Sequence, residues 1–166
     1  MIERRVDHVK RKRIAEMSPE EMKKALLTSE KTVLPNRRAF DESQASPWVA
    51  MSDVDGLKAL NDKFGYSAGD TLIARLAEAL AGADLDAYHN QGDEFLFKGK
   101  SYRELHEKLS EVQRLLRAHP FPVQALDGRI TTVPGADFCF GIGPTLQEAE
   151  SSLKHQKELR KHQREL

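Results

Sequence analysis

The sequence predicts an α+β domain in which helices flank a mostly antiparallel sheet. Apolar residues recur at helical spacing in several separated stretches, and short aromatic and β-branched runs lie between them. Two pairs of those runs are joined by polar segments containing glycine, Asn90-Gln91-Gly92-Asp93 and Asp127-Gly128, which read as hairpin turns. At 166 residues there is room for one core and a helical extension, but not for a second full domain.

Taken in order, residues 1–17 are densely charged, with Ile2, Val6 and Val9 at helical spacing, and predict an exposed helix. Barely two heptads long, it is a weak candidate for a coiled-coil arm, and a solvated helix is the simpler expectation. Ser18-Pro19-Glu20-Glu21 starts a second helix to about residue 28, because Ser18 can cap, proline suits the first helical position and Glu21 can close a capping box. These helices form an extension over 1–28, and the globular domain is expected over 29–166. Asn36 caps a short helix through Phe40. Trp48 to Ser52 reads as a buried strand ending at Asp53 and Asp55. Two helices follow, from Gly56 to Phe64 and from Ser67 to Leu80, with Gly65 between them.

Strands at 85–89 and 94–97 then flank the first hairpin, a helix covers 101–118, and strands at 121–126 and 129–133 make the second hairpin. A strand over 136–142 and a helix capped by Thr145 complete the chain.

Lysine plus arginine and aspartate plus glutamate each number 26, so no net field draws the chain to a nucleic acid. No apolar stretch is long enough to span a bilayer, and the start lacks a signal core, so membrane insertion is not expected. One cysteine, Cys139, excludes an internal disulfide and sits in an apolar run where burial is expected, and the reducing cytoplasm is the expected compartment. The histidines show no ligand spacing for zinc, and no Walker-type glycine loop or nucleophile motif is present.

The candidate chemistry lies in two acidic clusters at strand ends, Asp53 with Asp55 and Asp93 with Glu94. A divalent ion on nucleotide phosphates takes one or two carboxylates and leaves its other positions to substrate oxygens and water. Paired strands would bring both clusters to one such ion, or to two. The glycine beside Asp93, Gly92, would let a phosphate approach the backbone.

Four segments resemble one family in order and spacing. They are Leu34-Pro35-Asn36-Arg37-Arg38, the block from Asp53-Val54-Asp55-Gly56 through Asn61 to Gly65, Ala68-Gly69-Asp70, and Gly92-Asp93-Glu94-Phe95. Over about residues 29–161 the chain resembles the GGDEF (diguanylate cyclase) family, which implies the palm-like fold of nucleotide cyclases. The resemblance further implies that Asp53, the Val54 carbonyl, Asp93 and Glu94 hold Mg²⁺ or Mn²⁺, and that Asp93, Glu94 and Lys58 serve catalysis. By the same resemblance Asn61 and Asp70 bind guanine, Lys58, Lys157 and Lys161 neutralise the triphosphate, and Gly92 lines the substrate. The implied reaction condenses two GTP into cyclic di-GMP and pyrophosphate, which requires two domains to meet, at least transiently, as a homodimer. The alternative is a catalytically silent GTP-binding or protein-interaction regulatory module, and a regulatory protein partner is a further expectation.

Three departures motivate that alternative. Gln91 stands where the first signature glycine is expected and adds a side chain beside the nucleotide. His89 replaces an expected arginine. Ser29-Glu30-Lys31-Thr32-Val33 replaces an Asp-x-Leu-Thr-Gly turn that couples upstream input, which suggests a stand-alone domain whose input is missing or comes from a partner. The inhibitory Arg-x-x-Asp motif does not match at Gly82-Ala83-Asp84-Leu85, so product feedback there is not expected.

Overall fold

Side chains alternate across a strand, and that period of two decides which acids lie beneath which helix in this molecule. The computed structural model describes residues 13–165. Most of the helix expected over 1–17 therefore lies outside the described residues, apart from a short 3₁₀ turn at Ile14–Glu16. The elements are α1 (Pro19–Leu27), α2 (Arg37–Glu42), β1 (Trp48–Val54), α3 (Leu57–Phe64), α4 (Tyr66–Gly82), β2 (Asp86–Gln91) and β3 (Glu94–Gly99). Then follow α5 (Tyr102–Ala118), β4 (Phe121–Gln124), β5 (Ile130–Val133), β6 (Phe138–Gly143) and α6 (Leu146–Glu165).

Four strands form an antiparallel sheet in the order β2-β3-β1-β6, with β1 paired on both sides. Ala50 and Val54 of β1, Phe95 and Phe97 of β3 and Phe138 of β6 face α4 and α5, where they meet Leu72, Leu76, Leu80, Leu105, Leu109 and Val112. Each of these phenylalanines is fully buried and contributes about 2–3 kcal/mol of hydrophobic stabilisation. The opposite face carries Val49, Met51, Leu96 and Cys139 against Phe40 of α2 and Ala149 and Leu153 of α6. Asp53 continues the series of Val49 and Met51, and Glu94 that of Leu96, so both acids belong to the α6 face.

The expected caps are present. Ser18 Oγ accepts from the Glu21 amide, Asn36 Oδ1 from the Ala39 amide and Thr145 Oγ1 from the Glu148 amide, at 3.0–3.2 Å. Three expectations need correction. β1 runs on through Asp53 and Val54 rather than stopping before them, because both are paired, to Glu94 and Cys139 and to Phe138 respectively. β2 likewise continues through Asn90 and Gln91, so the first hairpin turn is Gly92-Asp93 alone, with an irregularity between His89 and Gln91 absorbing the change of register. The β4–β5 hairpin forms a separate two-stranded sheet with strands of four residues, shorter than its sequence pattern suggests.

Lys98 shows what the α2 connection costs and how it is satisfied. It is buried, and its ammonium donates to the carbonyls of Phe40 (2.8 Å), Ser43 (3.3 Å) and Gln44 (3.1 Å) and to Ser43 Oγ (2.6 Å), over the Phe40 ring at 4.5 Å. A cation there neutralises the carbonyl end of α2 and gathers the Phe40, Ser43 and Gln44 oxygens around one donor. Lys98→Met keeps the stem but removes the cation from the end of α2, leaving the Phe40 carbonyl with the Ser43 hydroxyl as its donor, and is expected to cost about 1–2 kcal/mol. A thermal melt that falls by less than a degree or two would contradict this role.

Candidate functional site

β1 ends beneath the C-terminal half of α6, and two carboxylates meet there. Asp53 and Glu94 are register partners on β1 and β3, and the turn before Glu94 brings the Asp93 carboxyl into hydrogen-bonding contact with that of Asp53. Burial first, then the hydrogen bond and negative charge of Asp53, push the Asp93 carboxyl up to about 7, while Lys157 opposes the shift. Two acids forced together in this way repel each other when ionised, and such a donor pair suits a divalent cation. Glu94 is turned to another partner, since Asn90 Nδ2 donates to its Oε2 at 2.9 Å and Arg37 reaches Asn90 Oδ1 at 3.5 Å. Among the described residues no group of three or more His, Cys, Asp or Glu side chains is gathered closely enough to hold an ion.

α6 lays two cations over the Asp53-Val54-Asp55 segment. Lys157 pairs with Asp53, and Arg160, one turn on, pairs with Asp55. Arg160 also contacts Asp137 and donates to the Phe138 carbonyl, both at 3.2 Å, while Cys139 Sγ lies 3.4 Å from Asp55 Oδ1. Asp55 thus stays on the same side as Asp53 despite lying beyond the strand end. The Cys139 thiol is buried, as its sequence context predicts, and burial beside Asp55 pushes it up to about 11, which makes it a poor nucleophile. Arg160 and Asp137 carried no motif signal. A pairing of the 157/160 spacing with the 53/55 spacing would have suggested Arg160 only once α6 was known to cross β1.

The other predicted residues lie on α3, α4 and α6. Asn61 sits on the second turn of α3, and its buried Oδ1 has no hydrogen-bond partner. Gly69 of α4 faces it so closely that a Cβ there would collide with Oδ1 and lie 2.9 Å from Cγ, so glycine is what leaves this acceptor its place. Lys58, Asp70 and Lys161 are exposed. Gly56, with φ of +71°, makes the turn from the acids into α3.

The departures look different in three dimensions. Gln91 is an exposed strand residue, and among the described residues every positive φ belongs to a glycine, Gly92 at +53° among them. Position 91 therefore holds glutamine without backbone strain. His89 and Ser29, separate anomalies in the sequence, bond each other: Ser29 Oγ lies 2.7 Å from His89 Nδ1, and Nε2 lies 2.9 Å from the Gly92 carbonyl. Ser29 Oγ already accepts from the Lys31 and Thr32 amides at 3.2 and 3.1 Å, so its hydroxyl is the donor to Nδ1. That assigns the proton of the ring to Nε2, which donates to Gly92. The ring is buried against Phe95 at 5.2 Å, and the His89 amide donates to the Pro35 carbonyl at 2.8 Å. The segment at 29–35 is thereby tied to the turn carrying Asp93.

The family model described as diguanylate cyclase, GGDEF domain, matches residues 28–158. MucR of Pseudomonas aeruginosa, a bifunctional diguanylate cyclase/cyclic di-GMP phosphodiesterase, is 28% identical over 148 residues, covering 76% of this chain and 21% of MucR. The chain thus spans about a fifth of the length of that relative. Among solved structures, diguanylate cyclase SiaD of Pseudomonas aeruginosa, in complex with its activator SiaC, superposes with a TM-score of 0.67 at 23% identity, over 82% of this chain and 60% of that one. A sensory box/GGDEF family protein from Caulobacter crescentus gives 0.60 at 24% identity, over 80% and 98%. These two likenesses speak to the fold. No helix among the described residues is long and apolar enough to cross a membrane.

Proposed function

The chain belongs to the GGDEF family, and on that premise we propose that it is a diguanylate cyclase, acting on GTP as a homodimer that forms at least transiently. The observation that carries this reading is the meeting of Asp53 and Asp93 under Lys157. In the reaction, the 3′-hydroxyl oxygen of one GTP gives up its proton to water and bonds to the α-phosphorus of another, the bond from that phosphorus to the bridging oxygen breaks, and pyrophosphate leaves. The same exchange in the other direction closes the ring. Since one domain carries one set of site residues, the two nucleotides are brought together by two domains.

Asp53, the Val54 carbonyl, Asp93 and Glu94 would hold Mg²⁺ or Mn²⁺, which when bound neutralises charge at the transferring phosphate and acidifies the attacking hydroxyl. Asn61 Oδ1, buried and lacking a donor, accepts from a guanine N–H, and Asp70 accepts a second. Adenine presents a different pattern there and would leave the Asn61 acceptor unpaired, which selects GTP. Lys58, Lys157 and Lys161 take the triphosphate oxygens as point charges. Gly92 keeps the turn clear for the phosphate. The tie from the 29–35 segment through His89 to Gly92 gives a regulatory partner a route to the Asp93 turn, and Gln91, exposed on β2, leaves that turn unstrained.

Purified protein incubated with GTP and Mg²⁺ or Mn²⁺ is expected to form cyclic di-GMP, with Asp93→Ala as the blank. Absence of product at high protein concentration, with GTP still bound, would instead make it a silent GTP-binding module. Gln91→Gly is expected to raise the rate no more than about threefold, since the glutamine is exposed and unstrained. A rise of two orders of magnitude would show that its side chain blocks the substrate.

A further inference from the structure

Lys157 and Arg160 hold adjacent acids, but they are held very differently themselves. Arg160 is three-quarters buried, its side chain 25% exposed, and it has three partners in Asp55, Asp137 and the Phe138 carbonyl. Lys157 is 49% exposed and bonds Asp53 alone among the described residues, whereas Asp53 itself is only 14% exposed. The Asp53 carboxylate thus sees little water, and beside the Asp93 carboxyl it has one cation, an ammonium that can leave for solvent. Arg160 is fixed, and Lys157 is exchangeable.

We infer that Lys157 is a built-in counter-ion that occupies Asp53 until a nucleoside triphosphate draws it away, so that metal and nucleotide bind cooperatively and metal alone binds weakly. The inference rests on the metal reading of Asp53 and Asp93 given above. A divalent ion arriving alone must break the Lys157–Asp53 pair and then stand beside a displaced ammonium, two unfavourable terms. A triphosphate supplies anionic oxygens that rehouse the ammonium, and a compact, flexible ammonium moves between carboxylate and phosphate without the geometric penalty of a forked guanidinium. By linkage, whatever the triphosphate contributes to metal affinity the metal returns to triphosphate affinity. Lys157 therefore sets the order of assembly: the nucleotide carries its ion in with it.

The test titrates Mn²⁺ alone, read by loss of the free-ion electron paramagnetic resonance signal, into the wild-type chain, Lys157→Met and Lys154→Met. Lys154 lies on the same helix, is exposed, and makes no ion pair among the described residues, so it controls for loss of one positive charge. Lys157→Met is expected to tighten Mn²⁺ by about tenfold, and Lys154→Met by less than about twofold. Repeated with 3′-deoxy-GTP, which lacks the attacking hydroxyl, the titration should show the nucleotide tightening Mn²⁺ strongly in the wild type and several-fold less in Lys157→Met. Mn²⁺ bound no more tightly by Lys157→Met than by Lys154→Met overturns the inference. Tightening in Lys157→Met without any cyclic di-GMP formed by the wild type supports it while sinking the cyclase reading. Mn²⁺ binding that survives Asp53→Asn and Asp93→Asn together overturns both.

Discussion

Asp93→Asn is expected to lower cyclic di-GMP formation by about three orders of magnitude while making the metal-free protein more stable at neutral and higher pH. The two effects share one cause. In the folded chain the Asp93 carboxyl is pushed up from its ordinary 3.8 to about 7 by burial and by Asp53, so the fold holds its proton more tightly than the unfolded chain does. A group shifted in this direction favours folding fully below about pH 4. Its contribution is lost progressively as pH climbs to about 7, where both carboxyls are ionised and repel. Asparagine has nearly the same shape and no charge at any pH, so it removes that slope. Melts in chelator at pH 5 and pH 8 should show the variant gaining about 3 °C on the wild type at pH 8 and little at pH 5. A variant less stable than wild type at pH 8 would mean that Asp53 and Asp93 do not repel each other in the fold.

Gly141→Ala is expected to be severely damaging for a single methyl, costing about 3 kcal/mol or more. Gly141 lies on β6 beneath α6, and a Cβ there would collide with the Leu153 amide nitrogen and lie 2.5 Å from the Ala149 carbonyl oxygen. Backbone cannot rotate aside as a side chain can, so the helix must lift. Lifting α6 also withdraws Lys157 from Asp53 and Arg160 from Asp55, so loss of stability should come with weakened nucleotide binding. Gly143→Ala meets the same helix at 2.7 Å, from the Ala149 nitrogen, and should be somewhat milder. Thermal unfolding of the two variants checks the order. A Gly141→Ala protein that melts with the wild type would show that α6 is seated less closely.

Much of this was legible in the sequence because it is written in near neighbours. Helical and strand periods, the Ser18, Asn36 and Thr145 caps, and the glycine-bearing turns depend on residues within a few positions of one another, and the elements they define are present with small shifts of boundary. The shifts have a tertiary origin: strand pairing extends β1 through Asp53 and β2 through Gln91, and no local pattern encodes a partner strand. The α+β class and membership of the family were likewise available from the residues alone.

Which side chains neutralise one another was not available. Lys157 and Asp53 are 104 positions apart, Arg160 and Asp55 are 105, and Ser29 and His89 are 60. In the sequence Lys157 stands in a charged run resembling any solvated helix face, and Ser29 and His89 are unrelated anomalies. Their pairing follows from how deeply α6 seats on the glycines of β6 and from where the 29–35 segment crosses β2. An ion pair needs its two groups within a few ångströms, and a distance of that kind is fixed by packing, to which every element contributes and which no single stretch of chain contains.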